Sequence, residues 1–359
     1  MRVFNCTCGN PLFFDNVTCT ACGRWVGWCP CCAGISSLEA LGEDRWRCTT
    51  CDSTLLSCAN YADEGICNRM IPEAPGPGLC DCCALNETIP DLSVEGNRAR
   101  WARLEAAKRR LIYALDRLGL PWGGAESGLE PPLSFSFMGD TLKGDEVWRS
   151  AGPEERVYTG HAGGHIIINI AEADDAERAR LRVDLGEAHR TLIGHFRHEV
   201  GHYYWDLLIK GQDEAAFAAL FGDPNEDYAA AMERHYAEGP PPDWQQRYIS
   251  AYATMHAWED WAETWALYLD IASVLDTAGA LGVTLGPPAD TAEAMVRRYQ
   301  SLGLILNELN REMGLLDFVP EVINQPVIEK LEYVHGVISR AAHARAQART
   351  QAGDSRLAV

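Results

Sequence analysis

His198-Glu199-Val200-Gly201-His202 reads HEVGH, two histidines four residues apart with a glutamate directly after the first. On an α-helix, residues i and i+4 share one face, so both imidazoles can reach one metal ion. Glu199 then lies where its carboxylate can take a proton from a water on that metal. Two neutral nitrogen donors, an open position and a nearby base suit a zinc ion kept for catalysis. About 0.02 accidental matches are expected in a chain of this size and composition. The alternative is a surface helix carrying two unrelated histidines. The flanks oppose it: Leu192, Ile193, Phe196, Val200, Tyr203 and Tyr204 recur at helical spacing, no proline intervenes, and Thr191 can serve as N-cap. A helix with apolar flanks, buried enough to hold a metal, sets the class of the domain around it.

Two histidines do not complete a catalytic zinc site; a third protein ligand is normal. A third histidine six residues after His202 is ruled out, because position 208 is Leu208. A carboxylate from a later helix is the other source. Residues 248–270, YISAYATMHAWEDWAETWALYLD, read as one aromatic-rich helix. There Glu259 and Glu263 are four apart on one face, with Asp260 rotated about 100 degrees from Glu259. One carboxylate can bind the metal while the other accepts the spare N–H of a ligand histidine, fixing its tautomer and ring plane. Glu259 is assigned as the third ligand and Glu263 as the supporting acceptor; the reverse assignment stays open. An ordinary acidic helix face is the bland reading. Trp258, Trp261, Trp265, Leu267, Tyr268 and Ile271 oppose it, because acids in such company are seldom buried without a partner.

All 14 cysteines lie between Cys6 and Cys83. The N-terminus, MRVFNCTCGN, lacks the apolar core of a signal peptide. A reducing, cytoplasmic setting is therefore expected, and metal binding is favoured over disulfides. Cys6-x-Cys8 with Cys19-x-x-Cys22 forms two knuckles for one tetrahedral zinc, each closed by a glycine (Gly9, Gly23). Cys48/Cys51 and Cys80/Cys83 read as further knuckle pairs, with Cys29, Cys32, Cys58 and Cys67 completing two or three structural sites. Three sites use twelve cysteines and leave two free; spacing alone does not decide the remaining pairings. Residues 1–90 hold five arginines and no lysine against ten acids. The whole chain of 359 residues carries a net charge of −20. Nucleic-acid binding depends on basic surface, so none is expected, and structural support or protein docking is the preferred role of the module. No apolar run approaches the ~20 residues of a membrane span.

Between these motifs, Asn97 to Leu118 reads as an amphipathic helix, with Trp101, Leu104, Leu111 and Leu115 on one face and a solvated basic face of Lys108, Arg109 and Arg110. Residues 133–137, 157–160 and 165–170 read as strands, and 171–182 as a charged, solvated helix. Two further helices are expected at about 290–313 and 320–347. His161, His165 and His195 are read as solvated or structural rather than as ligands.

HEVGH together with EDWAE resembles the gluzincin zinc metallopeptidases. More closely, GHFRHEVGHYYWD (194–206), IAEADDAERARLR (170–182), HYAEGPPPDW (235–244) and AWEDWAETWALYLD (257–270) resemble a bacterial family of zinc-binding metallopeptidases with an N-terminal zinc ribbon. The resemblance covers nearly the whole chain and departs from the family in the cysteine-rich stretch from Cys29 to Cys51. It implies a zincin plan in which the last strand lines the cleft and pairs with substrate backbone. It also implies a tyrosine seven residues before the ligand glutamate, Tyr252 here, as oxyanion donor; Tyr203, Tyr204 and Tyr248 compete for that role. The expected fold is α+β: a zinc-ribbon-like cysteine-rich module (1–90), a helical linker (91–120), a mostly helical zincin-like metallopeptidase domain with a small sheet (121–347) and a tail (348–359). The expected function is hydrolysis of peptide or isopeptide bonds, on a broad range of substrates or on one cellular protein, with one catalytic and two to three structural Zn2+ ions. The alternative is a zinc-stapled binding adaptor of the same fold that does not cleave.

Overall fold

The computed structural model describes all residues except 43, 74–77, 141–156, 158, 177, 179–190, 287–288, 320–321 and 352–359. Strands β1 (Phe4–Asn5) and β2 (Pro11–Leu12) pair with each other. Strands β3 (Val26–Cys29), β4 (Gly34–Gly42), β5 (Arg45–Cys48), β6 (Thr54–Ser57) and β7 (Met70–Pro72) form an antiparallel meander. Strands β8 (Asn86–Thr88), β9 (Ser134–Met138), β10 (Gly160–Ala162) and β11 (His165–Asn169) form a mixed sheet of order β10-β11-β9-β8. The helices are α1 (Ala59–Ala62), α2 (Asn97–Arg117), α3 (Leu192–Leu208), α4 (Glu214–Phe221), α5 (Tyr228–Glu238), α6 (Ala257–Ala280), α7 (Ala292–Glu312) and α8 (Gln325–Gln351). Among the described residues, no helix is long and apolar enough to cross a membrane. The result is a cysteine-rich N-terminal region followed by a mostly helical portion with a small sheet.

The chain forms two compact units. One holds Arg2–Leu115, Trp122–Phe196 and the C-terminus from Gln347; the other holds Met1, Asp116–Pro121 and Arg197–Ala346. In the first unit the meander has a core of Cys29, Leu38, Cys48, Leu55 and Met70, with Cys32, Trp46 and Tyr61 against it. Three of those eight are cysteines. A sheet of such short strands buries too little apolar surface to stand alone, and thiolate-bound metal is the usual remedy.

The mixed sheet is held by β9 and β11 running parallel, Phe135 opposite Ile166 and Phe137 opposite Ile168. Trp101, Leu104, Leu111, Ile112 and Leu115 of α2 are fully buried. The solvated basic face expected on α2 is corrected here, because Lys108 and Arg109 are buried. Lys108 Nζ lies 3.0 Å from Glu105 Oε2, bonds Asn86 and sits over the Phe135 and Phe137 rings at 5.6 and 5.5 Å. Arg109 donates to the Ile66 carbonyl at 2.6 Å. Helical periodicity marks which face a cation occupies, but not whether a neighbouring loop covers it. Of the charged stretch 171–182, Ile170–Ala173 is a 3-10 turn, and residues 177 and 179–182 lie outside the described residues.

In the second unit α3 crosses α6 at Gly201. A Cβ there would meet the Ala262 Cα at 3.0 Å and the Trp265 Cβ at 3.2 Å, while Trp261 Nε1 donates to the Gly201 carbonyl at 2.8 Å. Glycine is thus the residue that lets the two backbones approach. Trp265 stacks on Tyr204 at 4.7 Å, and Trp261 packs against Phe217 and Phe221. Asp260 turns away from Glu259 to pair with Lys330 of α8 at 2.6 Å, both side chains being buried.

Residues 248–270 are not one helix. Tyr252–Thr254 is a separate 3-10 turn, and α6 starts at Ala257. His256 is extended, φ −155° and ψ 153°, and its Nδ1 accepts from the Trp258 N–H at 3.0 Å. A histidine accepting an orphan first-turn N–H ends the helix where aromatic periodicity alone would carry it on. The C-terminal helices run Ala292–Glu312 and Gln325–Gln351, the latter four residues past the expected end.

Candidate functional site

Helix α3 presents His198 and His202 on one face, with Nε2 atoms 3.2 Å apart. Helix α6 brings Glu259 to them. Its Oε2 lies 3.0 Å from His198 Nε2 and its Oε1 3.5 Å from His202 Nε2. Two imidazole nitrogens at about 2.0–2.1 Å from a tetrahedral zinc sit about 3.3 Å apart, so these separations are those of a donor set around one ion. The donor chemistry agrees. His198 Nδ1 donates to Glu263 Oε1 at 2.8 Å, which leaves its Nε2 lone pair aimed at the gap. Glu259 is 2% exposed, and its Oε2 accepts no hydrogen bond. A buried carboxylate oxygen without a donor fits a cation.

Glu263 is itself fixed, accepting from the Ser250 hydroxyl at 2.7 Å, and Ser250 accepts the Ala253 N–H. The two carboxylates thus divide in space: Glu259 at the converging nitrogens, Glu263 at the outer nitrogen of His198. Electrostatics follow that layout. Burial opposes protonation of His198, but Glu259 and Glu263 outweigh it and hold its pKa well above the ordinary histidine range. Burial likewise opposes ionisation of Glu259, yet His202 and His198 hold its pKa well below the usual carboxylate range. Positive charge is favoured among these three side chains.

Glu199 is buried beside His198, 8% exposed, and its charge reaches the Tyr228 hydroxyl. Tyr252 lies with its ring 6.0 Å from that of His198. It reaches this place from the 3-10 turn, not from the helix of Glu259. The residue bonded to Glu259 is Tyr228, whose hydroxyl donates to Oε1 at 2.9 Å. Sequence reasoning missed Tyr228 and Ser250. The N-cap aspartate just before Tyr228 marks a helix start, but nothing local marks contact with residue 259. Among the other candidates, Tyr204 donates to the Pro121 carbonyl and Tyr248 lies 4.3 Å from Lys330 Nζ, so each has a structural engagement. In the first unit His195 pairs with Glu172, and His165 Nδ1 lies 2.9 Å from the Ser134 hydroxyl and 3.3 Å from Glu87.

The closeness of α3 and α6 makes Gly201 part of the site. Gly201→Val adds branched bulk where even one Cβ is too close. It is expected to lower stability by about 1–3 kcal/mol and to weaken metal binding by spreading the histidines from Glu259. Thermal melts with and without zinc check this; a valine variant with unchanged melting and metal content contradicts it.

The cysteines gather in three groups of four: Cys6, Cys8, Cys19 and Cys22; Cys29, Cys32, Cys48 and Cys51; Cys58, Cys67, Cys80 and Cys83. These are the twelve expected residues, now with their pairings. Sulfur–sulfur distances are 3.6 Å for Cys6–Cys22, 3.7 Å for Cys8–Cys19, 3.6 Å for Cys29–Cys51, and 3.8 Å for Cys32–Cys48 and Cys67–Cys80. A disulfide needs about 2.05 Å; thiolates about 2.3 Å from a tetrahedral zinc sit about 3.8 Å apart. The knuckles share one device: the N–H after the second cysteine returns to the carbonyl of the first, as in Gly9→Cys6, Gly23→Cys19, Asp52→Cys48 and Ala84→Cys80. Gly9 and Gly23 take φ of +87° and +72°, as such a turn requires. Burial opposes ionisation of Cys6, yet the Cys8 backbone and the Ser37 hydroxyl outweigh it and bring Cys6 down to about 6. Cys31 and Cys82 stand outside the groups; burial is the main cause that pushes the Cys82 thiol up to about 12.

Comparison with known proteins covers both parts of the chain. Residues 3–94 match a zinc-ribbon domain model. The chain is 38% identical over 355 residues, 95% of its length and 96% of theirs, to proteins of Mycobacterium bovis and Mycobacterium tuberculosis named only as uncharacterized. No solved structure matches it significantly. Residues 97–337, which carry the histidine pair and Glu259, match the model described as "Putative zinc-binding metallo-peptidase", and the chain belongs to that family.

Proposed function

We propose that the chain is a zinc-dependent peptidase that hydrolyses peptide or isopeptide bonds. In this reading His198, His202 and Glu259 hold one zinc. The observation that carries it is the convergence of a nitrogen each of His198 and His202 and a carboxylate oxygen of the buried Glu259 within 4.8 Å of one another. Bound there, zinc supplies Lewis acidity and a water acidic enough to ionise near neutral pH. Glu199 would be the base that takes the proton of the attacking water and returns it to the leaving amine nitrogen. Glu263 and Ser250 keep His198 in the tautomer that leaves Nε2 free. Tyr252, whose ring lies 6.0 Å from that of His198, would donate its hydroxyl to the oxyanion. The twelve grouped cysteines hold three structural zincs in the first unit. Thiolates persist in a reducing compartment, which fits a cytoplasmic enzyme. The cysteine-bearing module carries no basic surplus, so protein docking suits it better than nucleic acid.

The metal assignment is tested with His202→Ala. One zinc of the chain's total is lost and peptide cleavage with it, while the thiolate zincs remain. Zinc content by elemental analysis, at equal folded protein, reads this; a variant with the wild-type zinc content overturns the assignment.

A further inference from the structure

Helix α5 is hard to explain by packing. Among its 11 residues only Ala231 is buried, and Met232 and Tyr236 are 40% and 64% exposed. A short helix normally docks by burying an apolar face, and this one buries almost none of its apolar residues. It meets the rest of the unit through His235, whose ring lies 6.2 Å from that of Tyr252, and through its first residue, Tyr228. Asp227 caps the helix by accepting the Ala230 N–H at 3.1 Å. His256 Nε2 donates to the Glu226 carbonyl at 3.2 Å, and the His256 and Trp258 rings lie 5.4 and 6.3 Å from that of Tyr228. These contacts hold Tyr228 where its hydroxyl donates to Glu259 Oε1 at 2.9 Å.

We propose that Tyr228 is a positioning residue of the metal centre, its hydroxyl holding Glu259 Oε1 and so fixing the plane in which the carboxylate meets the two histidine nitrogens. The inference rests on the reading of His198, His202 and Glu259 as zinc ligands. Its logic is that of His198, whose Nδ1 is held by Glu263 so that Nε2 is aimed. Carboxylate ligands, like histidine ligands, are oriented by a partner on their outer atom. Without the hydroxyl, Glu259 Oε1 loses its donor in a buried setting and the carboxylate is free to turn. Helix α5 then belongs to the site as the carrier of that donor.

Tyr228→Phe keeps the ring against His256 and Trp258 and removes only the hydroxyl. The expected result is a 10- to 100-fold weaker zinc affinity at this site in the full chain, read by competition with a chromophoric chelator. The thiolate zincs and the melting midpoint of protein lacking the site zinc change little. Tyr236→Phe, on the same helix and exposed, leaves the affinity at the wild-type value. Wild-type affinity in Tyr228→Phe overturns the proposal. So does a lowered midpoint with unchanged affinity, which marks a packing role. A wild-type chain without any zinc that His202→Ala removes overturns the ligand reading itself, and this proposal with it.

Discussion

Glu199→Gln is expected to keep the zinc of the histidine site and to lose about 10²–10⁴-fold in peptide cleavage. Glutamine has nearly the shape of glutamate and fits the same buried place beside His198, so the donor set is undisturbed. What it lacks is a site for the proton that water must lose. The zinc total should equal the wild-type total while kcat falls and KM moves little, because Glu199 acts on the reacting water rather than on substrate binding. Cleavage undiminished in the glutamine variant would remove Glu199 from the chemistry. Loss of zinc with loss of cleavage would instead make Glu199 part of the metal cage.

The largest effect on stability is expected at the third cysteine group. Cys58, Cys67, Cys80 and Cys83 are all buried, and Cys67 and Cys80 lie 3.8 Å apart. Replacing Cys67 and Cys80 together by serine removes half of the proposed thiolate ligands of that group. Structural zinc contributes about 10–16 kcal/mol of apparent binding free energy in zinc-finger peptides, as large as a typical domain's whole net stability of about 5–15 kcal/mol. The cysteine-bearing unit should unfold in the double variant, and the zinc total should fall by at least one. Protease sensitivity before Leu115, with zinc content, reads the result. A double variant as protease-resistant as the wild type contradicts the structural role of that group.

Much of this was legible in the residues, for identifiable reasons. HEVGH places two imidazoles together through helical geometry alone, and Glu259 and Glu263 share a face for the same reason. The first cysteine group and the pairs Cys48/Cys51 and Cys80/Cys83 follow from knuckle spacing, because a tight turn fixes which sulfurs can meet. Other features depend on contacts between distant stretches. The partners of Cys29, Cys32, Cys58 and Cys67 are set by how the meander folds. Lys108 and Arg109 are buried by a sheet and a loop that periodicity does not describe. Helix α6 begins at Ala257 because the His256 side chain replaces the missing first-turn acceptor. Tyr228 bonds a residue 31 positions away across a turn, and no local pattern encodes that bond. Gly201 sits in the motif's variable position, yet its lack of a side chain is what lets α3 and α6 approach.

The central claim is that this donor set performs peptide hydrolysis. The most direct measurement is cleavage of a mixed-sequence peptide library by the full chain, read by mass spectrometry. Three samples are compared: zinc-replete protein, protein stripped of the histidine-site zinc with its thiolate zincs retained, and stripped protein given one equivalent of zinc. The account predicts new peptide termini with the first, none above background with the second, and restored cleavage with the third. Intact peptides in all three samples, from folded protein carrying the site zinc, would contradict it and leave the zinc-stapled adaptor as the better description.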